Sequence, residues 1–140
     1  MSGALQIPEG LITAKSQHGP AEIVKRLENS VAAHGLTIFA RVDHAEGAKS
    51  VGMDLRPTEV LIFGSPKSGT PLMQMSDTIG LDLPLKMLIR QDANGETFLA
   101  YDDPAWLARR HGLAEAAGPI VAKMQAVMAA IAGDACGGSP

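Results

Sequence analysis

The segment Thr58 to Phe63, TEVLIF, constrains the fold more than any other stretch of the chain. Its continuous apolar run is of the kind buried on both faces, so it predicts a central strand. Weaker signals place the other strands. Leu11 to Ser16 (LITAKS) is short, apolar and Thr-containing, and predicts a strand. Leu36 to Val42 (LTIFARV) predicts another, with Leu36, Ile38, Ala40 and Val42 on one face. Leu85 to Gln91 and Thr97 to Tyr101 bracket Asp92-Ala93-Asn94-Gly95, whose Asn-Gly pair predicts a hairpin tip.

Helical spacing fills the intervals. Ile23, Val24, Leu27 and Val31 fall on one face of a helix over Pro20 to His34, and Gly35 ends it. Glu22 and Arg26 stand four apart on the outer face, as a weak ion pair would. Asp43 can cap a short helix across HAEGAKSVG. Ser65-Pro66 and Thr70-Pro71 are two successive helix-start signals, so a helix begins at one or the other and covers Pro71 to Asp77. Asp103-Pro104 opens a helix to His111, with Arg109, Arg110 and His111 favourably placed in its last turn. Ala114 to Ala132 predicts a final helix whose apolar stripe is Ile120, Met124, Val127, Met128 and Ile131.

The resulting order is β-α-β-(short α)-β-α-β-β-α-α. Parallel crossovers come first and a hairpin last. This predicts a two-layer α+β fold, a mixed β-sheet of about five strands with helices packed on it. The 140 residues suit a single domain spanning 1–140. Residues 1–10 are expected to be a loose lead-in, and residues 133–140, rich in glycine, a flexible tail.

Composition excludes several function classes. Apolar residues make up 46% and charged residues 19%, which is a globular balance rather than a disordered one. The net charge is −3 and the pI about 5.7, and no basic run exceeds two residues. Nucleic-acid binding, which rests on Lys and Arg neutralising phosphates, is therefore not expected. One Trp, one Tyr and three Phe make a base-stacking platform equally unexpected. The longest uncharged run, Asn29 to Ala40, is far below the ~20 residues of a membrane span. The N-terminus lacks a basic segment followed by a long apolar one, so no signal peptide is predicted. Cytoplasm is the expected compartment. The lone Cys136 agrees, since it can form no internal disulfide; it is expected to be an uninvolved thiol on the tail.

Four motifs occur in order between Val60 and Leu113: a strand leading into GSPK, then GTPLMQ, then GLDLPLK before a strand, then YDDPAWLARRH. With the upstream LENSVAAHGLTIFARVDHAEGA, they resemble the family known as domain of unknown function 302, over roughly residues 10 to 113. The resemblance implies a small α+β fold and a homodimer. It implies no reaction. Many members carry Cys after the strand Phe and again after L-P, where this chain has Gly64 and Leu85. Any thiol, metal or redox role of that branch does not carry over.

The candidate site is the segment Gly64, Ser65, Pro66, Lys67, Ser68, Gly69, Thr70. It contains G-x-x-x-x-G but not the Lys that must follow in a phosphate loop, so nucleoside triphosphatase chemistry is rejected. What survives is a Gly-rich strand-to-helix turn with hydroxyls, a Lys and a helix N-terminus, which can hold a phosphate or carboxylate. The competing reading is a well-capped turn with a solvated Lys. Asp102-Asp103 could do acid-base work, although Asp103 as a cap and Asp102 as a solvated carboxylate is the simpler reading. Asp82 is expected to satisfy backbone amides in a loop. Trp106 is expected in the core, and the methionines are expected either as adaptable core filler or, for some of them, as the lining of a groove, which spacing alone does not separate. His18, His34, His44 and His111 show no metal-ligand spacing, so neither metal nor cofactor is predicted. The leading expectation is a homodimeric binding module for a small anionic metabolite near the GSPKSGT segment, with no nucleic-acid or membrane partner. The alternatives are an enzyme of undefined class using Lys67, a hydroxyl of that segment and Asp102 or His44, and a structural protein without a ligand.

Overall fold

The structure is a computed structural model and describes residues 6–113 and 115–137. Its strands are β1 (Leu11–Lys15), β2 (Thr37–Asp43), β3 (Thr58–Gly64), β4 (Leu85–Gln91) and β5 (Thr97–Asp102). Its helices are α1 (Pro20–Ala33), α2 (His44–Ser50), α3 (Pro66–Met75), α4 (Pro104–Arg110) and α5 (Gly118–Cys136), with 3₁₀ turns at Ile79–Asp82 and Glu115–Ala117. The strands form one sheet in the order β1-β5-β4-β3-β2. The α+β class and the five strands agree with expectation.

The sheet differs from expectation in one respect. Every neighbouring pair is antiparallel, so it is not mixed. β1 and β2 do run in the same direction, as a crossover through α1 implies. They lie on opposite edges, however, and β3, β4 and β5 fill the space between them. The Asn94-Gly95 hairpin and two helical connections supply the antiparallel neighbours. At the hairpin, Gly95 has φ +81°, and Asp92 Oδ1 accepts from the amides of Asn94 and Glu96.

One face of the sheet carries the core. Leu61, Phe63, Met87, Ile89 and Leu99 alternate onto it and are fully buried against Ile23, Leu27 and Val31 of α1 and Met128 and Ile131 of α5. Each such side chain contributes ~1.5–3 kcal/mol of burial. The alternate residues point the other way. Val42, Val60, Leu88, Ala100 and Thr13 form one row across the open face, flanked by Ile62 and Phe98. None of Val60, Ile62, Leu88 and Phe98 belongs to the core. TEVLIF is thus covered by helices on one face only, not on two.

A β-bulge falls at Phe39, between the Ile38–Phe63 and Ala40–Ile62 pairs. It moves Ile38 to the helix face while Ala40 and Val42 take the open face, so the predicted single stripe is divided. Bulges re-aim side chains in this way.

The chain ends are more firmly held than expected. α5 continues through Gly133 to Cys136, and Ala135 and Cys136 are buried. Arg26 does not pair with Glu22; its guanidinium donates to the carbonyls of Asp134, Ala135 and Gly137. Ser30 Oγ donates to Asp134 Oδ2 at 2.7 Å. The flexible-tail expectation therefore fails for residues 133–137, because a helix end beside α1 finds partners for its free carbonyls. Residues 138–140 lie outside the described residues, as do 1–5 of the lead-in. Within the lead-in, the Gly10 carbonyl accepts from the Asp103 amide at 2.7 Å, and Glu9 Oε2 accepts from Trp106 Nε1 at 2.8 Å. Trp106 is accordingly half-buried rather than interior.

By length and composition one helical stretch, Glu115–Cys136, is apolar enough to cross a membrane, with a mean hydropathy of 1.3. Lys123 interrupts it, so it contains no long uncharged run. Its residues Val121, Met124, Met128, Ile131 and Ala132 pack into the core.

Candidate binding cleft

The Ser65-Pro66 signal starts α3, and Thr70-Pro71 lies inside it. Ser65 Oγ accepts from the Lys67 amide, and the Ser65 carbonyl accepts from the amides of Ser68 and Gly69. Pro66 has no N–H. The predicted Gly-rich loop is therefore helix, and its amides are already used within the first turn. An anion cradle of backbone amides is not what this segment offers. Pro71 also withholds the N–H that would pair with the Lys67 carbonyl. α3 buries only Leu72.

Because α3 packs so lightly, a cleft of about 610 Å³ opens between it, the middle of α5 and the adjacent strand ends. Gly64, Ser65, Lys67, Ser68, Gly69 and Thr70 all line it. Sequence reasoning thus picked out one wall. It missed the rest. Phe63, Leu85, Met124 and Met128 are the buried residues of the lining, and Phe39, Met73, Ile120 and Val127 are its more exposed apolar ones. Phe39 reaches the cleft because of the bulge. Met73 and Met75 are 43% and 47% exposed, so they are not core filler, and neither is Met53 at 65%.

Two cations line the cleft from different elements, Lys67 on α3 and Lys123 on α5. Among the described residues neither has an ion-pair partner. The signal for Lys123 was available: it is a charge set beside Met124 within an apolar helix. His34 also lines the cleft, with Nδ1 donating to the Ser30 carbonyl at 2.8 Å. Asp102 and His44, the partners of the enzyme alternative, do not line it. Asp102 ends β5 beside Leu11, and His44 begins α2, which Asp43 caps through the Glu46 amide.

A second polar cluster lies elsewhere. His111 Nε2 lies 2.5 Å from Asp82 Oδ2, Arg110 donates to the same oxygen at 2.6 Å, and Thr78 Oγ1 stands 2.7 Å from His111 Nδ1. Asp82 therefore pairs with side chains rather than backbone amides. Burial opposes the charge on Asp82, but the His111 hydrogen bond and the neighbouring cations outweigh it and hold its pKa below the usual value. Burial pushes the thiol of Cys136 up, and burial with the nearby Asp103 charge raises Tyr101. Among the described residues no group of three or more His, Cys, Asp or Glu is placed to hold a metal.

The family model described as "Domain of unknown function DUF302" matches residues 12–131. The chain belongs to the DUF302 family. The crystal structure of an uncharacterized conserved DUF302 protein from Bacillus stearothermophilus superposes with a TM-score of 0.81 over 92% of this chain and 99% of that one. At 24% identity, that likeness shows the shared DUF302 fold. Two curated relatives are the fluoride-specific ion channels FluC 1 of Brucella suis biovar 1 and Brucella abortus biovar 1. Each is 49% identical over 107 residues, 76% of this chain. The DUF302 chain spans about two fifths of their length, 42% and 40% respectively.

Proposed function

We propose that the protein is a cytoplasmic, homodimeric binding module for a small acidic ligand, held in the cleft between α3 and α5. The observation that carries this reading is that Lys67 and Lys123, without ion-pair partners among the described residues, line one concave surface. A volume of about 610 Å³ suits a small molecule. Since the α3 amides are used within the helix, the ammonium groups are the anion-recognising elements. The channel-named relatives raise fluoride as a ligand. A largely apolar cleft of this size favours a larger organic acid over a monatomic, strongly hydrated ion.

The dimer is supported by the open sheet face. Val42, Val60 and Leu88 line up there outside the helix-covered core, with Lys86, Arg90 and Lys15 on the flanking rows. Uncovered apolar faces mark interaction surfaces, and a second copy related by a two-fold axis is the commonest occupant. The packing of one face of α5 into the core supports a globular domain.

The test is a thermal-shift panel of phosphates, carboxylates and sodium fluoride against the wild type and Lys67→Ala. A ligand at a hundredfold excess over its Kd should stabilise the protein by ~2.7 kcal/mol. The gain should shrink in the variant and at high salt. No shift across the panel would leave the protein without its assigned ligand class.

A further inference from the structure

Resting on that reading, we infer that the acid has a flexible apolar body, and that the cleft takes a medium-chain alkyl carboxylate with its chain along Phe39, Met73 and their aliphatic neighbours and its head held by the lysines. The lining argues for the chain. Phe39 and Met73 at the cleft are 51% and 43% exposed, and Ile120 and Val127 add half-buried aliphatic side chains over the buried Phe63 and Met128. Methionine is unbranched and polarizable, and it adapts to an apolar body without one fixed shape. Inorganic phosphate or acetate would leave this surface wet.

The head group follows from charge. Lys67 and Lys123 come from two helices and have no carboxylate partner among the described residues. The hydroxyls of Ser68 and Thr70 also line the cleft and can donate to a carboxylate. The cleft therefore joins two cations to a largely apolar lining, which matches a molecule with one acidic group and an apolar body.

Gly69 offers a way to fill the space. A Cβ there would meet Met73 Cε at 3.6 Å and Leu83 Cδ1 at 3.8 Å, which is ordinary contact. Alanine is therefore accommodated, whereas a leucine would extend among the side chains of the cleft.

The experiment is calorimetric titration of the full chain with hexanoate, octanoate and decanoate below their micelle concentrations. Acetate, inorganic phosphate and decanol serve as comparisons. Affinity should rise roughly fourfold per added CH₂ until the cleft is filled. Lys67→Ala and Lys123→Ala should each weaken decanoate roughly two- to fivefold. Gly69→Leu should remove binding while Gly69→Ala retains it, with both variants melting cooperatively without ligand. If acetate or phosphate binds as tightly as decanoate, the apolar body is wrong and the small-acid reading stands. If decanol matches decanoate, or the lysine variants bind as well as wild type, the acidic head is wrong. If none of the acids binds, both readings fall.

Discussion

His111 Nε2 and Asp82 Oδ2 lie 2.5 Å apart and join the end of α4 to the 3₁₀ turn that leads into β4. Arg110 shares the same carboxylate oxygen. Asp82 is lowered from its ordinary pKa of about 3.9, so its ionised form is favoured by folding. Its contribution to stability is complete above the unfolded value and is lost as pH falls through the folded one. Asp82→Asn should therefore cost ~1–3 kcal/mol at pH 7, as expected for hydrogen bonds to a charged group. The gap to wild type should narrow as pH falls through the acidic range. Urea melts at several pH values measure it, and a gap that stays constant into acid would contradict the assignment.

Gly10 should tolerate no side chain. Its φ is +80°, and a Cβ would overlap the indole of Trp106, with Cδ1 at 2.8 Å. The ring is held by Glu9, so it cannot simply swing away. Gly10→Ala should cost ~1–3 kcal/mol from left-handed strain and overpacking. Gly133→Ala is the contrast. It lies within α5 with nothing within 4 Å of the added carbon. That change should raise stability by ~0.4–1 kcal/mol. Chemical denaturation of the two variants should give opposite signs.

The C-terminal residues should be needed for stability. Ending the chain at Gly133 removes buried Ala135 and Cys136, together with the partners of Arg26 and Ser30. A fall of several degrees in Tm is expected. Arg26→Ala alone should cost ~1–2 kcal/mol, since its hydrogen bonds are charge-assisted. Native Cys136, its thiol pKa raised by burial, should react slowly with iodoacetamide and quickly in urea. Rapid native labelling would show that the helix end opens freely.

Dimerisation through the open face should be sensitive to charge at its centre. Val60→Asp and Leu88→Glu each place a carboxylate in the row shared with Val42 and Ala100. In a face-to-face dimer these would replace apolar contact at its centre with buried carboxylates, even with Lys86 and Arg90 on the flanking rows. Sedimentation equilibrium should show wild-type dimer and variant monomer of 14.6 kDa. A dimer unaffected by both changes would place the interface elsewhere.

Local chemistry was legible where one residue type settles a local geometry. Leu85–Gln91 was predicted to the residue, and Asp43 and Asp103 cap helices as their positions indicated. What depended on long-range pairing was not legible. The antiparallel sheet follows from which strands find each other, and a β-α-β pattern cannot say that three later strands will intervene. The site was read in part for the same reason. Lys67 stood in a recognisable segment, but Lys123 and Phe39 reach the cleft only through the packing of α5 and a bulge. The Gly-rich segment itself misled, because Gly69 sits in a helix rather than a loop. Asp82 and His111 are 29 positions apart, and no periodicity links them.

The placement of β1 and β2 on opposite edges has a consequence during synthesis. β1 pairs only with β5, Leu11 facing Asp102 and Lys15 facing Phe98. A ribosome emitting this chain must deliver residues 16–96 after β1 before its partner strand follows. β2, by contrast, finds β3 after a short interval. The sheet can thus be extended from its β2 edge as translation proceeds, while the first strand waits to be added last. Closing so long a loop is the costly step in topologies rich in distant contacts. The β1 edge is therefore the part of the sheet most dependent on residues distant in the chain.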